Sequence, residues 1–190
     1  MVGCLYEFRK IIKLIKPTKY FGLLALSMPY IIIPILMMID LGKKNYHQDL
    51  SLINYSPLLP IAIILSIWLN DTMAYLVGSF IGKTPFSKIS PKKTWEGTGG
   101  GAILCVFIMG IIVHFVNTFY FLPLKHWLVI AVICAVFGTL GDLLESKIKR
   151  MADIKDSGYF MPGHGGFLDR FDSLLIATAF VWLYVRLFVR

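Results

Sequence analysis

The chain has 190 residues, of which 57% are hydrophobic and 16% are charged, and its formal net charge is +8. Together with a mean hydropathy of +0.71, this composition excludes an ordinary water-soluble domain. The sequence contains no internal repeat, low-complexity tract or separate polar domain. We therefore expect one integral membrane domain over residues 1–190.

The first predicted element is a basic amphipathic helix at the N-terminus. Leu5, Phe8, Ile12 and Ile15 fall near one helical face, with basic residues around it, as is typical of a helix on a membrane surface. A solvated leader before the first span is an equally good interpretation. No small-residue cleavage site follows the first apolar run, so a cleavable signal peptide is not expected.

Five apolar runs follow, each close to the roughly 20 residues that a helix needs to cross a hydrocarbon core of about 30 Å. They are Tyr20 to Ile39, Leu58 to Ile81, Gly100 to Val116, Trp127 to Leu144 and Leu174 to Val189. The pattern predicts an all-α, polytopic membrane helix bundle of about five transmembrane helices. Residues 1–57 would contain the amphipathic segment and the first span.

Positive charges are distributed unevenly across this bundle. If the spans alternate from a cytoplasmic N-terminus, fourteen of the nineteen Lys and Arg residues fall in 1–19, 82–99 and 145–173. Cytoplasmic loops of membrane proteins carry such an excess, so topology in a cell (inner) membrane explains the charge. No basic patch with interleaved aromatic residues indicates a nucleic-acid partner. The loops 82–99 and 145–173 are expected to share the cytoplasmic face.

The first polar segment begins inside the second predicted span, at Asn70-Asp71-Thr72. An intramembrane carboxylate usually faces a cavity, a partner or an ion, with helix–helix hydrogen bonding as the alternative for Asp71. The following loop runs from Ser90 through Lys92 and Lys93 into Gly99 to Gly101. Lysines, glycines and a helix N-terminus together are typical of phosphate binding, although basic loops also mark topology.

The second polar segment starts at the end of the fourth predicted span. Asp142, Glu145 and Ser146 stand at positions i, i+3 and i+4, which places them on one face of a helix. Further cations, glycines and acids follow in the loop: Lys149, Arg150, Lys155, Gly163, His164, Gly165, Gly166, Asp169, Arg170 and Asp172. This density of polar residues at a membrane helix end predicts a functional site.

Oxygen ligands of this kind favour Mg²⁺. Asp142 and Asp169 are the first candidates, with Glu145 and Asp172 as second ligands or outer partners. The alternative is that Asp169 and Asp172 only cap and pair at the start of the last helix. Zinc is disfavoured, because His164 is the one histidine of these loops and has no cysteine near it. His164 could equally contact phosphate, orient an aspartate or form a turn.

The run from Ser146 to Asp172, with its Pro-Gly-His-Gly-Gly-x-x-Asp-Arg-x-Asp, closely resembles the signature of bacterial phosphatidate cytidylyltransferases, also called CDP-diglyceride synthases. Asn70 to Tyr75 and Ser90 to Gly97 resemble upstream motifs of that family, so the resemblance covers about residues 58 to 189. It implies a nucleotidyltransferase that converts CTP and phosphatidic acid to CDP-diacylglycerol and pyrophosphate, with 58–190 as the catalytic region. It also implies Mg²⁺, allows a monovalent cation such as K⁺, and is consistent with a homodimer.

Residue roles follow from these motifs, with Asp142 and Asp169 as metal ligands. The residues expected to act in catalysis are Asp142, Asp169, Lys149, Arg150, Lys155, Arg170 and His164. Those expected to bind substrate are Asp71, Ser90, Lys92, Lys93, Thr94, Glu96, Gly97, Ser146, Gly165 and Gly166. A lipid phosphate is already largely ionised near neutral pH, so no strong general base is expected.

Met73, Met161 and the chain length depart from the family pattern. Family members usually carry more N-terminal spans than the one predicted before residue 58, so the chain is either a compact member or a piece of a longer protein. A CDP-archaeol-type synthase or a CTP-using polyprenol kinase would need similar loops. An ion transporter is a third alternative, which leaves the glycine-rich and cation-rich loops unexplained.

Overall fold

The computed structural model describes residues 2–15, 25, 27–43, 56–87, 89–116, 122–158 and 165–189. Within these ranges lie six α-helices: α1 Val2–Ile15, α2 Ile33–Lys43, α3 Leu58–Ile81, α4 Trp95–Phe115, α5 Leu124–Met151 and α6 Leu168–Phe188. A π-helical turn, Met28–Ile32, leads directly into α2. The described ranges contain no β-strand, so the all-α prediction is confirmed.

Four of these helices, α3 to α6, are long and apolar enough to cross a membrane. They correspond to the last four predicted spans, and the polytopic membrane bundle is confirmed. The predicted first span overlaps the π-helical turn and α2, while its residues 20–24 and 26 lie outside the described residues.

Three helices extend beyond the apolar runs that predicted them. α4 begins at Trp95 rather than Gly100, α6 begins at Leu168 rather than Leu174, and α5 ends at Met151 rather than Leu144. The 28 residues of α5 reach about 42 Å, well past a hydrocarbon core of about 30 Å. Hydropathy finds only the lipid-facing part of a helix, so the predicted loops were too long.

The main core lies between α3, α4, α5 and α6. Its fully buried side chains include Ile63, Met109, Trp127, Ile130 and Val181. Burial of such side chains against each other maximises the dispersion contacts that hold membrane helices together. This packed core fixes the helix ends that carry the polar segments.

Glycines allow α3 and α4 to approach closely near their shared loop. A Cβ added at Gly97 would lie 2.8 Å from the Ala74 carbonyl oxygen, and one at Gly101 would lie 2.6 Å from the Ala74 Cα. Small residues at four-residue spacing are a common basis for close helix packing in membranes. Packing therefore explains Gly97, and its predicted substrate contact remains a prediction.

The N-terminal helix α1 packs on the bundle. Its apolar stripe, which includes Cys4, Phe8 and Ile11, is buried against Tyr30 of the π-helical turn and against Leu168 of α6. The amphipathic helix is therefore present, but protein covers its apolar face. Neither predicted interpretation, a membrane-surface helix or a solvated leader, described this arrangement.

Candidate active site

Three carboxylates meet where α5 and α6 cross. One oxygen from each of Asp142, Glu145 and Asp172 lies within 4.8 Å of the others, and we call this group the acidic cluster. Gly141 permits the crossing, since a Cβ there would lie 2.5 Å from the Asp172 carbonyl oxygen. Like charges at this spacing repel unless a proton or a cation offsets them. The cluster thus has the donor set of a divalent metal site.

Glu145 is the most enclosed member of the acidic cluster. Its side chain is fully buried, and Oε2 accepts a hydrogen bond from the Lys149 ammonium at 3.0 Å. Oε1 is buried without a hydrogen-bond partner among the described residues. An unsatisfied buried carboxylate oxygen is costly, and a metal ion would satisfy it. The residues present therefore fit a hard divalent cation such as Mg²⁺.

Asp169, predicted with Asp142 as a first metal ligand, has a different environment. Its carboxylate accepts the Lys149 ammonium at 2.5 Å and the backbone N–H groups of Ser157 and Gly166 at 3.0 and 2.7 Å. Lys149 in turn connects Asp169 to the acidic cluster through Glu145. The structure groups Asp142 with the two predicted second ligands, and direct metal ligation by Asp169 remains a prediction.

The two polar segments come together at the acidic cluster. Lys93, from the loop between α3 and α4, forms an ion pair with Asp142 on α5. Ser146 donates a hydrogen bond to the other Asp142 oxygen at 3.3 Å, as the one-face spacing of these residues predicts. One end of the bundle thus holds both segments, in agreement with the parity of the spans.

A cavity of about 420 Å³ opens between these segments and is called the first cavity. Its walls combine ammonium, hydroxyl and carboxylate groups, with Lys92, Lys93, Asp71 and Asp142 as the charged residues. The uncharged polar side chains in its wall are Asn70, Tyr75, Ser79, Ser90, Thr94, Thr98 and Thr139. Its volume is typical of small-molecule sites, and its cations suit a phosphorylated ligand.

A second cavity of about 330 Å³ shares Asp71 with the first. Besides Asp71, its charged residues are Asp169, Arg170 and Asp172, while Ile64, Trp68 and other apolar residues form most of the remaining wall. An apolar groove of about 260 Å³ between α2, α3 and α6 also contains Ile64 and Phe171. The second cavity and the groove therefore form a charged pocket with an apolar extension, the shape of a lipid headgroup and its chain.

The sequence matches the Cytidylyltransferase family over residues 5–188. The chain belongs to this family. It is 44% identical over 123 residues to the phosphatidate cytidylyltransferase of Bacillus subtilis (strain 168), covering 64% of this chain and 45% of that protein. It is also 46% identical over 112 residues to the Staphylococcus saprophyticus protein of the same name, covering 58% of this chain and 42% of that protein.

A plant protein of the same name is also similar to this chain. The chain is 42% identical over 137 residues to phosphatidate cytidylyltransferase 5, chloroplastic, of Arabidopsis thaliana, covering 67% of this chain and 32% of that protein. The family resemblance predicted from the motifs is confirmed. The chain spans less than half the length of the curated relatives it matches.

Two residues of the family motif Ser90 to Gly97 organise the loop between α3 and α4. Thr94 caps α4 by accepting the Gly97 N–H at 3.1 Å, and it also lines the first cavity. Glu96 accepts hydrogen bonds from the N–H groups of Lys83 and Thr84 and from the Thr84 hydroxyl. Glu96 thereby joins the two ends of the loop and does not line the first cavity; its predicted substrate contact remains a prediction.

The cations predicted in the family motif Ser146 to Asp172 occupy different places. Arg170 lines the second cavity. Arg150 and Lys155 are exposed and line neither cavity. His164 lies outside the described residues. Of the three cations that the structure describes, Arg170 alone lines one of these two cavities.

Two glycines of the same motif, Gly165 and Gly166, lie beside Asp169. Gly166 donates its N–H to this carboxylate, and Gly165 has a φ of +81°. A Cβ at Gly165 would also lie 2.6 Å from Asp169 Oδ2, so both backbone conformation and space favour glycine there. Substrate contacts of the two glycines remain predictions.

Two buried polar residues beside the site were not singled out from the sequence. Glu7 is 6% exposed and Ser157 is 3% exposed, and the Ser157 hydroxyl lies 2.7 Å from Glu7 Oε2. A signal for Glu7 exists in the sequence, because it is an acid within the apolar stripe of α1, between Cys4 and Ile11. The partner of that acid lies 150 residues away, which no local pattern reveals.

Proposed function

We propose that this chain is a phosphatidate cytidylyltransferase that transfers a cytidylyl group from CTP to phosphatidic acid in phospholipid biosynthesis. Membership of the Cytidylyltransferase family and the names of its relatives support this assignment. The observation that carries it is the first cavity, where Lys92 and Lys93 lie beside the acidic cluster. Cations for a triphosphate and carboxylates for its metal ion meet in one place.

The two cavities suit the two substrates. In the proposal the CTP triphosphate occupies the first cavity, where Lys92, Lys93 and several hydroxyls can donate to phosphate oxygens. Phosphatidic acid occupies the second, with its phosphate at Arg170 and an acyl chain along the apolar groove. Asp71 lines both cavities and stands between the two sites.

The reaction needs alignment and charge neutralisation. An oxygen of the lipid phosphate forms a bond to the α-phosphorus of CTP, the bond from that phosphorus to the β-phosphate oxygen breaks, and pyrophosphate leaves. The lipid phosphate carries its own negative charge near neutral pH, so the site need not remove a proton. Arg170 would orient the lipid phosphate, and Lys93 would hold the triphosphate.

Asp142, Glu145 and Asp172 would hold Mg²⁺, and the same proposal allows a monovalent cation such as K⁺ beside it. When bound, Mg²⁺ would supply neutralisation of the triphosphate charge. Lys149 forms ion pairs with both Glu145 and Asp169 and so holds these two carboxylates in place. Direct participation of Asp169 as a ligand is part of the sequence-based proposal.

The proposal places the site on the cytoplasmic face of the cell (inner) membrane. The excess of Lys and Arg in the loops at this end supports that orientation, and CTP is supplied in the cytoplasm. We also propose that the chain forms a homodimer, on the ground of the family resemblance alone. Cross-linking in native membranes would check it.

The decisive experiment uses the purified chain in vesicles that contain both phosphatidic acid and a polyprenol. With Mg²⁺ and CTP labelled in its cytosine, we expect labelled CDP-diacylglycerol and one pyrophosphate per product, both abolished by EDTA. A polyprenol kinase would leave free CDP, and an ion transporter would give flux without lipid product. Either result, with phosphatidic acid unreacted, refutes the proposal.

A pair of aspartate variants provides the matched control. Asp142→Asn removes a member of the acidic cluster and should abolish product formation. Asp153→Asn removes an exposed carboxylate just after α5, at a φ of 56° that asparagine also tolerates. It should retain wild-type activity.

A further inference from the structure

Glu7 is a buried acid that the proposed chemistry does not use. It lies on α1, is 6% exposed, and lines neither the first nor the second cavity. A carboxylate carried into an apolar interface is costly unless donors compensate it. The partners of Glu7 therefore indicate why the interface contains it.

Glu7 caps the start of α6. Oε1 accepts the Phe167 N–H at 3.0 Å, and Oε2 accepts the Leu168 N–H at 2.8 Å. The first N–H groups of a helix lack partners within it, and a negative charge is favourable there. The residue preceding α6 is Phe167, which has no side-chain cap of its own. Glu7 supplies that cap from α1.

The chain around Glu7 is shaped to receive its carboxylate. A Cβ at Gly166 would lie 2.6 Å from Glu7 Cδ, and one at Gly158 would lie 2.9 Å from the same atom. On α1 itself, a Cβ at Gly3 would lie 2.5 Å from Cδ2 of the Phe167 ring. Three glycines thus leave room for α1, the residues before α6 and the carboxylate between them.

A continuous series of polar contacts leads from Glu7 to the acidic cluster. The Ser157 hydroxyl lies 2.7 Å from Glu7 Oε2 and 3.0 Å from Asp169 Oδ2, so it can donate its one proton to either. Asp169 accepts the Lys149 ammonium, and Lys149 also contacts Glu145 of the cluster. Each of these contacts fixes the position of the next group.

We propose that Glu7 is a positioning residue for the acidic cluster. Through the start of α6 and through Ser157, it fixes Asp169 and Lys149, and so sets the spacing of the cluster for a divalent cation. The inference rests on the proposed function in that this cation serves cytidylyl transfer. The helix α1 is thereby part of the active-site architecture.

The test uses three variants of the chain: Glu7→Gln, Ser157→Ala and the double variant that combines these two changes. The control is Lys13→Gln, which removes an exposed charge from α1. Mn²⁺ binding is followed by electron paramagnetic resonance, and kcat is measured at saturating CTP. We expect Glu7→Gln and Ser157→Ala each to weaken Mn²⁺ binding and to lower kcat about 10-fold, as is usual for groups behind metal ligands. The double variant should be no worse than Glu7→Gln, and Lys13→Gln should match wild type.

A purely structural role gives a different result. If Glu7→Gln only lowers the melting temperature, while the folded protein keeps wild-type Mn²⁺ affinity and kcat, the inference is overturned. If Glu7→Gln does not fold, Ser157→Ala decides, because it leaves the α6 cap in place; wild-type Mn²⁺ affinity there also overturns the inference.

The failure of the proposed function is distinguishable from failure of this inference. A wild-type chain that binds Mn²⁺ but forms no CDP-diacylglycerol refutes the function, while the variants' Mn²⁺ affinities still decide the role of Glu7. A wild-type chain that binds no Mn²⁺ refutes the inference itself.

Discussion

Asp172 and Asp169 stand three residues apart on α6 and have different partners. Asp172 belongs to the acidic cluster, whereas Asp169 accepts the Lys149 ammonium and two backbone N–H groups. We expect Asp172→Asn to weaken Mn²⁺ binding at least about 100-fold, because it removes a proposed ligand. Asp169→Asn should weaken it about 10-fold, as a group behind the ligands. Electron paramagnetic resonance of Mn²⁺ with each purified variant measures both effects.

The control for this pair is Asp153→Asn, which should bind Mn²⁺ as wild type does. A larger loss for Asp169→Asn than for Asp172→Asn would contradict the assignment made from the structure. It would restore Asp169 as the first ligand beside Asp142, as the sequence predicts.

Lys93 and Arg170 provide a second residue-scale prediction, since each lines a different cavity. Loss of a charge-assisted hydrogen bond costs about 1.5–3 kcal/mol. Lys93→Gln should therefore raise KM for CTP at least about 10-fold and leave KM for phosphatidic acid unchanged. Arg170→Gln should do the reverse. Steady-state kinetics in mixed micelles, with the exposed Lys147→Gln as control, separate the two constants.

A result in which both variants change the same constant would contradict the assignment of one substrate to each cavity. The assignment is supported only if Lys93→Gln raises KM for CTP alone and Arg170→Gln raises KM for phosphatidic acid alone. Neither variant removes a carboxylate of the acidic cluster, so both should still require Mg²⁺. Lys93→Gln also removes the ion-pair partner of Asp142, so its apparent Mg²⁺ affinity is measured together with KM for CTP.

Local spacing predicted part of the acidic cluster. Asp142 and Glu145 stand on one helical face, and their proximity follows from helix geometry alone. The position of Asp172 next to these two carboxylates does not follow from local spacing, because it depends on how α6 packs against Gly141 of α5. Glu7 was missed for the same reason, since only tertiary packing brings it to α6.

At the scale of elements, α3 and α4 pack closely because α4 has glycines, which have no side chain, at their contact. A Cβ at Gly101 would lie 2.6 Å from the Ala74 backbone, whereas one at Gly99 would meet nothing within 4 Å. Both glycines are in α4, so Gly99→Ala is a matched control for Gly101→Ala. The pair separates helix propensity from interhelical fit.

We expect Gly101→Ala to destabilise the folded chain by about 1–3 kcal/mol, because the helices must separate to admit the methyl group. Gly99→Ala gains helix propensity, worth up to about 1 kcal/mol, and should not be destabilising. Unfolding in detergent with increasing sodium dodecyl sulfate measures both. Equal stabilities for the two variants would show that the close approach at Ala74 is not rigid.

Element boundaries were the weaker part of the sequence-based prediction. Apolar runs located all four spanning helices of the described residues, because lipid contact requires that composition. The predicted runs started too late at α4 and α6 and ended too early at α5, where polar residues extend each helix into the site. Helix α1 was predicted as amphipathic. The residues that cover its apolar face, Tyr30 and Leu168, come from distant parts of the chain and could not be predicted locally.

At the scale of the whole molecule, the bundle has two distinct ends. One holds the acidic cluster, both cavities and α1. At the other, Asp40 pairs with Arg186 and accepts a hydrogen bond from the Trp182 indole N–H at 2.6 Å, joining α2 to the end of α6. The alternation of spans predicted this separation, since consecutive helices must reverse direction.

The three native cysteines are free and buried, so introduced cysteines can report which end faces which compartment. Lys83 and Asp156 lie in the two loops at the site, and Lys125 lies in the first turn of α5 at the opposite end. All three positions are exposed and can be changed to cysteine. We expect a membrane-impermeant maleimide to label the first two only in inside-out vesicles and the third only in right-side-out vesicles. The wild-type chain should stay unlabelled in both. Labelling of Lys83→Cys and Asp156→Cys from opposite sides would contradict the fold, whereas a common reversal of all three would contradict only the cytoplasmic orientation.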